Sequence, residues 1–141
     1  MRSAGIAFIG PLVLLLALFS TVASHATGRA VDGDALFHIH CAACHGEKGV
    51  GQDPAFRSGG WRDDGSRLAP ALDGSAHSWH HEPELLYDYV KSGSVDPESP
   101  MPAFGDNLNE EQIQAIIYYF QSLWPEKIRR IYLERFPGSL E

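Results

Sequence analysis

The sequence predicts an all-α fold of three to five helices. Apolar side chains recur at helical spacing in the last third of the chain, at Ile113, Ile116, Ile117, Phe120 and Trp124. No stretch alternates apolar and polar residues in the way that a half-buried strand does. Both cysteines lie in one five-residue motif, Cys41 to His45, whose first, fourth and fifth residues share a face if the motif is helical.

Residues 1–26 predict a secretory signal peptide. Arg2 supplies the positive start, an apolar stretch follows from Ile6 to Phe19, and small residues suit cleavage after Ala23 or Ala26. An uncleaved membrane anchor is the alternative, although the uncharged run of 18 residues that ends at Ala23 is short for a membrane span. In both cases we expect the folded part to lie outside the cytosol, in the periplasm of a bacterium.

The first predicted helix begins at Asp32, carries the cysteine motif at its carboxyl end and ends at Gly46. Aspartate at a helix start accepts hydrogen bonds from exposed amides, and glycine is the commonest residue at a helix end. The segment 46–69 is rich in glycine and charge, so it predicts a loop. We expect Trp61, within this loop, to cover part of the core.

A middle helix and a last helix follow. The middle helix is predicted from Pro83, a residue suited to the first helical position, to a stop at Gly93. The last helix follows Asn109, where Gln112 three residues later completes the pattern of a capping box. Pro125 ends this helix or kinks it. Residues 27–125 are therefore expected to form one domain.

Residues 126–141 predict a basic amphipathic extension. The chain has a formal charge of −7; without the signal segment, 10 Lys and Arg stand against 18 Asp and Glu, which gives −8. Such an acidic surface excludes nucleic acid as a natural partner and favours a protein with a basic docking patch. The extension suits contact with a protein partner or a membrane, and a solvated charged face is the alternative. Its basic residues are Lys127, Arg129, Arg130 and Arg135.

The motif Cys41-Ala42-Ala43-Cys44-His45 has the pattern Cys-x-x-Cys-His. Two thiols at this spacing can add to the two vinyl groups of one haem, and the histidine that follows can bind its iron. A disulfide between Cys41 and Cys44 is the alternative in an oxidising compartment. It would close a loop that the helix already closes, and it would leave His45 without a role. The motif therefore indicates one covalently bound haem c in a protein that carries electrons.

Met101 is the predicted second axial ligand of the iron. It lies between Pro100 and Pro102, and these prolines favour a stiff, extended loop over a helix. A stiff loop suits a weak thioether ligand, because the bond to iron cannot hold the loop in place by itself. The alternative is a methionine that fills a gap in the core.

Histidines provide other candidate ligands. His77, His80 and His81 lie within five residues, and they suit a polar loop over the haem edge, with Trp79 packed inward. A second metal site, for copper, is a more specific hypothesis, since imidazole is a common copper ligand. Replacement of the methionine ligand by one of these histidines is a further alternative.

Pro70 is the predicted partner of His45. A histidine that binds a metal normally donates its other ring N–H to a carbonyl or carboxylate group, which fixes the ring. The carbonyl of Pro70 suits this role because proline has no N–H of its own and is stiff. A proline that only turns the loop is the alternative.

These segments together resemble the class I monohaem cytochrome c family of bacterial periplasmic proteins. The segments Cys41 to Gly46, Pro70 to Leu72 and Met101 to Phe104 occur in the family's order, before a similar last helix, and the resemblance covers about residues 31–124. Compared with the smallest members, the loop 47–68 is longer and the basic extension is additional.

The resemblance implies a cytochrome c-like fold of a few helices around one haem c. Gly33 and Phe37 are similar to the family's amino-terminal helix pattern, and Tyr119 to the aromatic residue of its carboxyl-terminal helix, which crosses the first. Phe37 and Tyr119, with Pro70 and Leu72, are therefore expected in the haem pocket or in the helix packing.

Two main functions follow from the resemblance. The first is electron transfer through a haem with His45 and Met101 as axial ligands, to and from redox proteins of the periplasm or inner membrane, without catalysis by this chain itself. The second is a haem protein with an open or labile sixth position, acting in catalysis or gas sensing. A third hypothesis is metal handling by the histidine cluster.

Overall fold

The computed structural model describes residues 30–96 and 98–140, so the predicted signal segment 1–26 lies outside the described residues. The described part contains five α-helices, two short 3-10 helices and one two-stranded sheet. The α-helices are α1 Gly33–His40, α2 Ala42–His45, α3 Pro83–Ser92, α4 Glu110–Ser122 and α5 Glu126–Arg135. The 3-10 helices are Glu47–Gly49 and Ser78–His80, and the strands are β1 Gly60–Trp61 and β2 Arg67–Leu68. The prediction of an all-α fold is confirmed.

Helix α1 packs against α4. The predicted start is confirmed, because Asp32 Oδ1 accepts a hydrogen bond of 3.1 Å from the amide of Ala35. We expected one continuous helix that includes the motif. Instead, α1 ends at His40, and α2 begins after Cys41. A Cβ atom on Gly33 would lie 2.1 Å from the carbonyl oxygen of Ala115 in α4. The two helices thus approach each other at a point that only glycine allows.

Local signals set the bounds of α3 and α4. Pro83 occupies the first turn of α3, and Gly93, with φ of 78°, ends it. Asn109 accepts a hydrogen bond of 2.9 Å from the amide of Gln112, whose side chain accepts one of 3.0 Å from the amide of Asn109. The expected capping box is therefore present, and it satisfies two amides that the helix itself cannot pair.

The segment 60–68 departs from the expected loop, because it forms an antiparallel hairpin with Trp61 opposite Arg67. Residues directly opposite each other lie on one face of a sheet, and the next pair includes the buried Leu68. Trp61 therefore faces away from the core and is 52% exposed, with the Arg67 guanidinium 4.8 Å from its ring centre. The expectation that Trp61 covers the core is wrong.

The core lies mainly along α4. The predicted apolar stripe of this helix is buried, from Ile113 to Phe120, and Trp124 continues it. Helix α5 adds Tyr132, which is fully buried, with its ring 4.9 Å from the rings of both Trp124 and Phe136. The extension is thus packed into the core along one face.

None of the described helices is both long and apolar enough to cross a bilayer.

Candidate haem-binding site

A cavity of about 580 Å³ lies between α2, α3, α4, the segment 66–72 and the loop 94–104. This volume is within the range of roughly 300–1,000 Å³ that is usual for sites of small molecules and cofactors. Apolar side chains form most of its wall, namely Leu68, Leu72, Leu86, Val90, Ile116 and Phe120. Four elements and one loop thus contribute to one mostly apolar surface.

Both thiols of the motif border this cavity. They are free of any disulfide, and Cys41 is half-buried whereas Cys44 is exposed. Burial raises the pKa of the Cys41 thiol to about 11, and the neighbouring Cys44 adds to the effect. Cys41 is the N-cap of α2 and Cys44 lies within this helix three residues later, so both residues lie beside the same opening.

His45 ends α2 and is buried at the edge of the cavity. Its Nδ1 atom donates a hydrogen bond of 2.8 Å to the carbonyl oxygen of Pro70, as expected from the sequence. A carbonyl can only accept, so Nδ1 carries the proton and Nε2 keeps a free lone pair. Burial lowers the pKa of His45, against the opposite effect of the Pro70 carbonyl, so the ring is neutral at pH 7. A neutral, oriented imidazole is a common metal ligand.

The Pro70 carbonyl is itself held in place by its neighbours. The amide of Ala71 donates a hydrogen bond of 2.7 Å to the carbonyl of Arg57, and the amide of Leu72 donates one of 2.7 Å to that of Gly49. The indole of Trp124 donates a bond of 2.9 Å to the carbonyl of Leu72. These bonds fix the segment 70–72, and Pro70 and Leu72 both border the cavity as expected.

Met101 is half-buried and borders the same cavity. Its carbonyl accepts a hydrogen bond of 3.3 Å from the amide of Ser94, and the amide of Phe104 donates one of 3.1 Å to the carbonyl of Val90 at the end of α3. Gly93 lets the loop turn back, since a Cβ atom there would lie 2.9 Å from the Met101 carbonyl. The structure thus brings a thioether and an imidazole to one cavity.

The histidine cluster does not converge. His77 and His81 border the cavity with ring centres 5.4 Å apart, whereas His80 stacks on Trp79 at 3.7 Å. Across residues 30–96 and 98–140, no group of three His, Cys, Asp or Glu side chains is arranged to hold a metal ion. His80 is thus stacked on Trp79 and does not meet His77 and His81, so the described geometry gives no support to a three-histidine metal site.

Phe37 and Tyr119 serve helix packing. Their ring centres are 5.2 Å apart where α1 meets α4, and neither residue borders the cavity. A hydrogen bond with Asp34 is the main cause that raises the pKa of the Tyr119 hydroxyl to about 12, so it stays protonated at pH 7. Of the two expected roles, pocket or packing, the structure gives them the second.

Polar residues around the cavity were not anticipated. Arg62 and Arg67 border it from the hairpin, and Asp96 borders it from the loop before Met101. Arg67 and Asp96 form an ion pair although 29 positions separate them in the chain. No local pattern in a sequence marks such a contact, because it depends on how two loops meet in the fold.

The donor set fits a covalently attached haem. Two thiols one turn apart can form the thioether links, a neutral imidazole with a free lone pair lies beside them, and a thioether borders the same apolar space. His45 and Met101 are the types of side chain that hold haem iron in electron-transfer proteins. The buried walls match the apolar faces of a haem.

Comparison with known proteins identifies a family that matches most of the chain. A family model described as cytochrome c oxidase, cbb3-type, subunit III matches residues 28–120. The chain is also 30% identical over 97 residues to a protein of Sinorhizobium medicae (strain WSM419), the cbb3-type cytochrome c oxidase subunit FixP. That match covers 64% of this chain and 29% of the relative, so the chain spans less than a third of the relative's length.

Proposed function

The chain belongs to the cbb3-type cytochrome c oxidase subunit III family, and we propose that it is a periplasmic electron carrier whose haem iron is held by His45 and Met101. Membership makes it a c-type cytochrome domain with one covalently bound haem c, which is an electron-carrying module. The proposal adds the axial ligands, the compartment and the role of a carrier between redox proteins.

One observation carries the proposal: the imidazole of His45 and the thioether of Met101 border one apolar cavity together with both thiols. In this arrangement Cys41 and Cys44 would anchor the haem, and His45 and Met101 would bind its iron as the two axial ligands. The haem supplies an iron that alternates between the ferrous and ferric states. A site with both axial positions filled transfers electrons without a bond to substrate.

The residues of the chain tune this transfer. The Pro70 carbonyl keeps His45 in one tautomer and orientation, so the free Nε2 lone pair is available in both oxidation states. The apolar walls exclude water and therefore disfavour the added charge of the ferric state. A thioether ligand acts in the same direction, and both raise the reduction potential relative to a solvated site with two histidine ligands.

Redox proteins are the partners that we propose. A relative is named as a subunit of a cbb3-type cytochrome c oxidase, so a role as the electron-carrying subunit of a larger oxidoreductase is included. Contact with the inner membrane is proposed through the predicted N-terminal segment or the basic face of α5. Lys127, Arg129 and Arg130 are exposed on this helix and form no ion pair with other described residues.

Binding of carbon monoxide to the reduced protein tests the proposal. Because Met101 fills the sixth position, the reduced wild-type protein should show little spectral change in carbon monoxide, whereas the Met101→Ala variant should bind it readily. Wild-type protein that binds carbon monoxide as readily as the variant would favour the other function, a haem protein with an open or labile position for catalysis or gas sensing.

A further inference from the structure

We propose that the ion pair between Arg67 and Asp96 holds the loop that carries Met101 against the cavity. Arg67 and Asp96 would then be positioning residues for the thioether, rather than ligands themselves. The inference rests on the proposed function, since it assumes that Met101 binds iron. The inference adds that this ion pair influences how readily the Met101 thioether leaves the iron.

The loop 94–101 is shaped largely by bonds within itself. The hydroxyl of Ser94 accepts a hydrogen bond of 3.1 Å from the amide of Asp96. The carbonyl of Asp96 accepts one of 3.0 Å from the amide of Ser99, whose hydroxyl lies 3.5 Å from the amide of Met101. These bonds give the loop its form, but they do not tie it to the opposite wall of the cavity.

The contact that reaches the opposite wall joins the Asp96 carboxylate to the Arg67 guanidinium. Both residues border the cavity, and their side chains are 39% and 35% exposed, respectively. Arg67 lies on strand β2, next to the buried Leu68. The pair therefore crosses from the hairpin to the loop at the mouth of the cavity.

Arg67 is well placed to act as a fixed point. Its guanidinium packs over the ring of Trp61 at 4.8 Å, and the two residues lie opposite each other on the paired strands β1 and β2. The hairpin turn is closed by a hydrogen bond of 2.8 Å from the amide of Arg62 to the carbonyl of Ser66. Gln52 joins the strand to the chain near α2, since its side-chain oxygen accepts a bond of 3.1 Å from the amide of Ala69. The exposed Trp61 thus has a role, to support Arg67.

The expected effect of this pair is modest and measurable. A thioether is a weak ligand, so an incoming ligand competes with whatever holds Met101 in place. Half-exposed ion pairs contribute little, and salt screens them. Loss of the pair should raise the equilibrium constant for release of Met101 about two- to fivefold, which is the range expected for such a contact. High salt should raise this equilibrium constant in the wild-type protein in the same way, because salt screens the ion pair.

Titration of the oxidised haem-loaded protein with imidazole at low salt tests the proposal. The readout is the far-red sulfur-to-iron charge-transfer band, which disappears as imidazole replaces Met101. In Arg67→Gln and in Asp96→Asn the apparent Kd for imidazole should fall about two- to fivefold. The double variant should have the same Kd as the single variants, and the Kd of Arg67→Lys should lie between theirs and that of the wild type.

The two single variants also distinguish the loss of the ion pair from the effect of a change in net charge. Arg67→Gln makes the protein more negative and Asp96→Asn makes it less negative, so a pure charge effect would move the Kd in opposite directions. The control is Arg135→Gln, which makes the same charge change as Arg67→Gln at an exposed position of α5 outside the cavity. This control should leave the Kd unchanged.

Three results would overturn the proposal: an unchanged Kd in both single variants, shifts of opposite sign, or an equal fall in Arg135→Gln. Failure of the proposed function would look different. If the wild-type protein lacked the far-red band, the ligation by Met101 would be wrong, and the positioning role would be overturned with it. If the band were present and the variants behaved as wild type, only the positioning role would be wrong.

Discussion

The orientation of His45 depends on one carbonyl oxygen, that of Pro70, 2.8 Å from Nδ1. Burial lowers the pKa of the ring and leaves Nε2 unprotonated, so one hydrogen bond and one buried position prepare the imidazole as a ligand. Because proline has no backbone N–H, Pro70 leaves no unpaired donor at this position. The amide that follows, on Ala71, is paired with Arg57, which fixes the direction of the carbonyl.

Gly33 is the residue that permits the close approach of α1 and α4. In Gly33→Ala the new Cβ atom would lie 2.1 Å from the carbonyl oxygen of Ala115, so the helices must separate. We expect the free energy of unfolding to fall by about 2–3 kcal/mol, as for overpacked cores. Guanidinium denaturation of the haem-loaded protein measures it.

Ala35→Ser is the matched control for this prediction, because Ala35 is exposed on the same helix. Its effect on the free energy of unfolding should stay within about 0.5 kcal/mol. Equal stability of Gly33→Ala and the control would mean that α1 and α4 are not held at this distance in solution.

At the scale of elements, α5 is joined to the core through Tyr132. The ring is fully buried between Trp124 and Phe136, with 4.9 Å between ring centres on each side. Tyr132→Ala should lower the free energy of unfolding by about 3–5 kcal/mol, because a large buried ring leaves a cavity. Thermal unfolding followed by circular dichroism provides the measurement.

The neighbouring Leu133 is 37% exposed and serves as the control for α5. Leu133→Ala should cost less than about 1 kcal/mol, since little buried area is lost. If Tyr132→Ala were as stable as Leu133→Ala, the extension would be a loosely attached tail that contributes nothing to the core.

The elements that the sequence predicts are those with local signals. Asp32, Gly93 and the pair Asn109 and Gln112 act within one helical turn, so their effect can be recognised without a structure. The apolar stripe of α4 is similarly local. The hydrogen bond from His45 to Pro70 could be inferred across 25 positions because a histidine that binds a metal normally donates its other ring N–H to an acceptor.

The rest depends on contacts that no local pattern encodes. Strands of two residues are too short to show alternation, so the hairpin and the exposure of Trp61 were missed. The pair of Arg67 and Asp96 forms only when two loops meet. A metal site was one hypothesis for the three nearby histidines, but His80 lies in a 3-10 helix and stacks on Trp79. These histidines are therefore close in the sequence but do not meet at one point in the structure.

At the scale of the whole molecule, charge is unevenly distributed. Residues 30–125 contain five Lys and Arg against 15 Asp and Glu, a formal charge of −10. Residues 126–135 contain four against two, a charge of +2. No residue of α5 borders the cavity. The cavity therefore belongs to the acidic part of the chain and not to the basic helix.

Electron exchange with a basic redox protein should accordingly be faster at low salt. We expect its rate constant, measured by stopped flow, to fall about tenfold when the ionic strength rises from about 0.01 M to about 1 M. The variant Lys127→Gln, Arg129→Gln, Arg130→Gln should not slow the exchange, because it leaves the acidic body unchanged. A slower exchange in this variant would show that partners dock on α5 instead.

The most direct test of the central claim is the visible absorption spectrum of the oxidised haem-loaded protein, recorded for wild type, Met101→Ala and His81→Ala. Met101 and His81 both border the cavity, so the histidine variant is a matched control. The proposed ligation predicts a far-red sulfur-to-iron band that is kept in His81→Ala and lost in Met101→Ala. A wild-type spectrum without that band, or a band that survives the loss of Met101, would contradict it.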